Sequence, residues 1–140
     1  MYQFKPFFIF LCLLFVMSSC GPRSLDDFQE EAEGIIRSLI QDLRAIHTRE
    51  QLLAATGRLQ KQFDRLVSVM IAAEEFRFFH PELEKEENIR PSHELSDLLR
   101  VELNRIYRLE GGRTLIEKCQ EKALYRLDAF EKHHANQKIP

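Results

Sequence analysis

Residues 48–81 read TREQLLAATGRLQKQFDRLVSVMIAAEEFRFFHP, and the fold class follows from this stretch. The Thr48 hydroxyl can cap a helix, and Gln51 three residues on can reach back to the Thr48 amide, the reciprocal pair called a capping box. Behind that start, Leu52, Thr56, Leu59, Phe63, Leu66, Val67 and Met70 recur at threes and fours, the spacing that keeps side chains on one face of a helix. Pro81 ends the segment, because its ring pushes His80 out of helical geometry. Such a helix has roughly 31 residues and a length of about 46 Å. Its apolar face needs other helices to cover it.

Upstream, Ser24 offers a capping oxygen and Asp26 and Asp27 place negative charge in the first turn of a preceding helix. Phe28, Ala32, Ile35, Ile36, Leu39, Leu43 and Ile46 form its stripe. The capping box places the reversal at Thr48; a later break at Thr56-Gly57, or one unbroken helix from Ser24 to Phe79, are the alternatives. Downstream, a polar loop over 82–91 leads to Ser92, which caps a third helix with Glu94 in its first turn. Leu95, Leu98, Leu99, Leu103 and Ile106 are its stripe, and Gly111-Gly112 should stop it, since glycine takes the left-handed conformation of a helix C-terminus without strain. Thr114 to Glu117 is a second capping box, expected to open a fourth helix with Ile116, Cys119, Ala123, Leu127 and Phe130 inward. Four amphipathic helices with short links predict an all-α fold, an antiparallel up-down bundle over 25–134, with 135–140 as a disordered tail.

The first twenty residues have another character. Lys5 is the only charged side chain, Phe7 to Met17 is unbroken apolar sequence, and Met17-Ser18-Ser19-Cys20 leads into Gly21-Pro22. A membrane span needs about 20 apolar residues, and this run is too short. An ordinary signal prefers a small residue three places before the cut, where Met17 would stand. The segment resembles the lipobox of bacterial lipoproteins, with Met17 in place of the commoner Leu. The resemblance covers residues 1–20 only. It implies that 1–19 is a cleaved signal peptide, that Cys20 receives a diacylglyceryl group and usually an amide-linked acyl chain such as palmitate, and that 20–24 is a lipidated tether. Gly21 lacks the acidic side chain that retains lipoproteins at the inner membrane of enteric bacteria, so the resemblance favours the outer membrane.

Composition narrows the function. Residues 20–140 keep 19 of the 20 basic side chains and all 22 acidic ones, a slightly acidic body without the basic footprint of nucleic-acid binding. Cys12 leaves with the signal and Cys20 carries lipid, so Cys119 is the one remaining thiol, placed mid-stripe like a small core residue. No Gly-x-Ser-x-Gly, phosphate loop or paired carboxylates suggest catalysis. A di-metal bundle needs two Glu-x-x-His pairs, and only Glu131 with His134 qualifies. His80 and His93 flank the acidic residues Glu82, Glu84, Glu86 and Glu87, which flexible solvated charge explains adequately. No cofactor or metal is expected.

One irregularity suggests a contact site. If Phe63 and Met70 mark the inner face of the second helix, Glu74 and Arg77 fall on that face, while Phe76 and Phe79 point away. Either Leu83 and Ile89 of the following loop cover these rings, or Phe76, Phe78 and Phe79 form an exposed patch for lipid or a protein partner. The sequence reading is therefore a lipid-anchored envelope lipoprotein with a structural or protein-interaction role, its membrane partner held through Cys20. A small-ligand or metal-binding bundle on the same tether is the alternative.

Overall fold

Ser24 and Thr48 set the first two helices, as the residue pattern requires. The computed structural model describes residues 24–83 and 92–137. The expected signal peptide, Cys20, most of the tether, Ile89 and the last three residues lie outside them. Among the described residues there are four α-helices and no strand: α1 Leu25–Arg44, α2 Arg49–Phe79, α3 His93–Tyr107 and α4 Gly112–Gln137, with a short 3-10 turn at Pro81–Leu83. The Ser24 hydroxyl accepts from the Asp27 amide at 3.2 Å, and Asp27 Oδ2 accepts from the Ser24 amide at 2.8 Å. Thr48 and Gln51 form the same reciprocal pair at 3.3 and 3.2 Å, so the reversal falls at Thr48 and Gly57 sits inside α2. Ser92 caps α3 by accepting from the Leu95 amide.

The start of α4 differs from expectation. Gly111 takes a φ of +69°, and the Gly112 amide donates to the Leu109 carbonyl at 2.9 Å. A Cβ on Gly112 would lie 2.0 Å from the Ile106 carbonyl oxygen, so only glycine fits against the end of α3. The chain is already helical at Gly112, which leaves Thr114 inside the first turn and its capping box unused. At the other end α4 continues to Gln137, beyond the expected boundary at 134.

Around the bundle the neighbours are α1–α2, α2–α4, α4–α3 and α3–α1, and the backbones of the diagonal pairs do not meet. Contacts fix the sense of each pair. Along α1 and α2, Asp42 meets Arg58, Ser38 meets Gln62, Glu31 meets Arg65 and Phe28 meets Phe76, so these helices run oppositely. Along α2 and α4, Thr56 meets Cys119, Asp64 meets Lys122, Ser68 meets Arg126 and Phe78 meets His134, so these run the same way. Leu95 packs with Ile36 and Ile40 while Arg105 bonds to Leu43 and Ile46, making α1 and α3 parallel as well. Two of the four neighbouring pairs, α2–α4 and α1–α3, are thus parallel.

The main core joins all four helices around Leu39, Leu43, Leu59, Ile106, Ile116 and Cys119. A fully buried leucine contributes about 1.5–3 kcal/mol through removal of apolar surface from water, so this layer carries most of the stability. The stripe read for α2 is only partly inward. Met70 is 44% exposed, whereas Ala55, Val69 and Ala73 are buried. Small residues lie there because α2 turns different sides toward α1, the centre and α4.

Arg105 fastens α3 to the end of α1. Its guanidinium donates to the Leu43 carbonyl at 2.6 Å, the Ile46 carbonyl at 2.7 Å and Glu102 at 2.9 Å. The Leu43 carbonyl already accepts from the Ile46 amide at 3.0 Å, and Arg105 adds a side-chain donor to it and to the Ile46 carbonyl, where the helix ladder runs out. Burial raises the Glu102 carboxyl most, but hydrogen bonds and charge from Arg105 and Arg44 together outweigh it and hold the group below its ordinary value of 4.5. Replacing Arg105 by Met should lower stability in urea melts by about 1–3 kcal/mol, the cost of the lost donor at the Ile46 and Leu43 carbonyls and of one of the two arginines on Glu102. Lys at that position should restore only part of the loss, because an ammonium lacks the planar fork. Unchanged stability in Arg105→Met would show the clamp to be incidental.

Candidate functional site

The end of the bundle where α2 and α4 finish is aromatic. Successive helical residues turn by about 100°, so Phe76 and Phe78 are about 200° apart and face different neighbours of α2. Phe76 turns toward α1. Its ring lies 5.7 Å from Phe28 and 4.4 Å from the His80 imidazole, centroid to centroid, and it packs on a layer of Phe28, Ala32, Ile35, Val69 and Ala73. This layer is separate from the main core, and Phe76 packs at its edge. It is half-buried, because α1 extends far enough to receive it.

Phe78 turns toward α4 and meets the His134 ring edge-on at 5.6 Å. His134 in turn lies 4.2 Å from Phe130 and 6.3 Å from His133. Phe79 turns away from the buried face of α2, into solvent, touching Phe78 edge-on at 5.5 Å. Phe78 is 51% exposed and Phe79 74%. The structure thus divides the sequence-predicted patch: Phe78 and Phe79 form an exposed pair, and Phe76 belongs to the packed layer behind it. Phe130 and His134 adjoin the pair, although the sequence reading placed one in a core stripe and the other in a metal pair. A parallel α2/α4 contact brings them there, and periodicity within one helix carries no such signal.

Charges at this end are mixed. Arg77 pairs with Glu74 at 3.0 Å, and His80 Nδ1 lies 3.0 Å from Glu82 Oε1. Glu82 is held below the ordinary carboxylate range by a backbone hydrogen bond and by His80. His80 and His134 therefore have rings as neighbours rather than a set of metal donors, and among the described residues no group of three or more His, Cys, Asp or Glu is arranged to hold a metal. A shallow groove between α1 and α2 is lined by Glu31, Gly34, Ile35, Ser38, Gln62 and Arg65. Its polar groups bond one another, Gln62 to Ser38 at 3.0 Å and Arg65 to Glu31 at 3.5 Å.

Cys119 is buried in the main core, with its Sγ 3.6 Å from the Thr56 carbonyl oxygen. Burial pushes the thiol up, only partly offset by Lys118, which favours the unreactive protonated form. Among the described residues no helix is long and apolar enough to cross a membrane. Comparison with protein-family models, with curated proteins and with solved structures finds no match to this chain.

Truncating the rings one at a time should separate core from surface. Phe63, 7% exposed in the main core, should cost about 3–5 kcal/mol as Phe63→Ala. Phe79→Ala should change stability by no more than about 0.5 kcal/mol, as for a surface position. Phe76→Ala should fall between them. Equal losses for Phe63→Ala and Phe79→Ala in urea melts would mean that Phe79 is a core residue in solution.

Proposed function

We propose that this chain is a bacterial envelope lipoprotein, tethered by lipid on Cys20, whose helical bundle has a structural or protein-interaction role and performs no catalysis. The observation that carries the reading is the short apolar run ending in Ser18-Ser19-Cys20, followed at once by Gly21-Pro22. The run is too short to span a bilayer, and its small residues stand directly before the only thiol near a cleavage point. A thiolate is the nucleophile such an alkylation needs, and no hydroxyl replaces it at neutral pH. One acyl chain gives marginal attachment at about 0.8 kcal/mol per buried CH₂, whereas the two or three chains of a lipoprotein cysteine give a stable one. Gly21 after the cysteine favours the outer membrane.

The chain path we read on this anchor is up-down. The first helix leaves the membrane from Ser24, the second returns, the third leaves again and the fourth ends near the bilayer. The burial of the Cys119 thiol in apolar surroundings supports a non-catalytic role. Fatty-acid labelling in cells tests the reading. Wild-type protein should incorporate labelled palmitate and migrate as the shorter processed form, and Cys20→Ser should remain an unlabelled precursor. Equal label in wild type and Cys20→Ser would remove the lipoprotein reading.

A further inference from the structure

We infer that Phe78 and Phe79 are a second membrane contact, two rings that enter the interfacial layer of the bilayer holding the anchor and set the bundle upright on it. The inference rests on the proposed lipidation of Cys20 and adds to it a surface and a lipid chemistry.

Position is the first argument. Phe28, in the first turn of α1, is 5.7 Å from Phe76 ring to ring, so the start of α1 and the end of α2 stand at one level. Phe79 is three residues further along α2, about 4.5 Å closer to that end of the bundle. Ser24, which caps α1, is joined to Cys20 by four links that reach at most about 14 Å. A bilayer that holds lipid on Cys20 therefore lies within a short reach of the exposed rings. Residues near the opposite end, such as Leu53, are 26 positions earlier on α2 and about 39 Å away.

Chemistry is the second. Two phenylalanines, 51% and 74% exposed and in edge contact, would be stabilised by moving their remaining apolar surface out of water. Among the described residues, the exposed charged side chains near this end in sequence have both signs, Lys132 with Glu75 and Glu82, rather than the basic cluster that recognises an anionic surface. The patch thus suits the interface of a bilayer rich in a zwitterionic lipid such as phosphatidylethanolamine. The acyl chains supply the attachment, and the rings supply orientation.

The chain contains no tryptophan, so Phe79→Trp gives a single fluorescent reporter in the full-length protein. The lipoprotein is made in cells fed labelled palmitate, purified, and reconstituted into phosphatidylethanolamine-rich vesicles whose acyl chains carry bromine, a contact quencher. The Phe79→Trp protein should show blue-shifted emission and lose most of it to the brominated lipid. Leu53→Trp, at a site 47% exposed on the same helix, should keep the emission of a water-exposed indole. Thermal melts matching wild type establish that both variants are folded. If the labelled Phe79→Trp protein is quenched no more than the labelled Leu53→Trp protein, the inference is overturned while the anchor stands. If neither protein carries palmitate, the anchor reading fails and takes the inference with it.

Discussion

α3 is 15 residues long and stands diagonally across the bundle from an α2 of 31, and this mismatch governs what the rest of the bundle can bury. The first turn of α3 meets α1 at Ile36 and Ile40, midway along that helix. From there to the Gly111 turn, four helices enclose a core that includes Leu39, Leu43, Leu59, Ile106 and Ile116. Beyond that level, among the described residues, α2 has only α1 and α4 beside it. The inner face of α2 therefore changes character along its length. Leu59 and Phe63 are buried, Met70 is 44% exposed, and Glu74 and Arg77 follow as an ion pair. The break in the apolar stripe after Ile71 lies beyond the level at which α3 begins.

The helix boundaries could be read from sequence wherever they depend on local bonds. Ser24 with Asp27, Thr48 with Gln51, and Ser92 with the Leu95 amide are all pairs three residues apart, and each stands at a helix start. The same pattern at Thr114 misleads, because the Gly112 amide bonds the Leu109 carbonyl in a turn with no room for a Cβ, and the helix begins at Gly112, three residues before Leu115. Helix order was beyond reach for a different reason. Periodicity assigns each helix one apolar face, but it does not say which neighbour covers it. Val69 and Ala73 are buried because α1 packs there, and Thr56 and Ser68 are engaged because α4 runs parallel to α2.

The same distinction explains the aromatic end. A run with Phe76, Phe78 and Phe79 at the end of an interrupted stripe is visible in sequence, yet the share of each ring is decided by tertiary neighbours. Phe28 takes Phe76 into a packed layer, His134 covers one edge of Phe78, and Phe79 meets Phe78 while staying largely exposed. In the proposed function this division has a use. One ring ties α2 to the helix that leads from the anchor, and the other two face outward at that end. Arg105 does corresponding work at the far end, holding α3 to the carbonyls that close α1. The bundle is then fixed at both ends, with its exposed rings on the side from which the tether comes.

The N-terminal chemistry is the part on which the functional reading turns. Intact-mass and peptide mass spectrometry of the protein extracted from native bacterial membranes addresses it directly. The reading requires a mature chain that begins at Cys20 and carries the mass of a diacylglyceryl group, with or without a further acyl chain. A mature chain that begins elsewhere, or that retains Met1 with an unmodified Cys20 thiol, would contradict it.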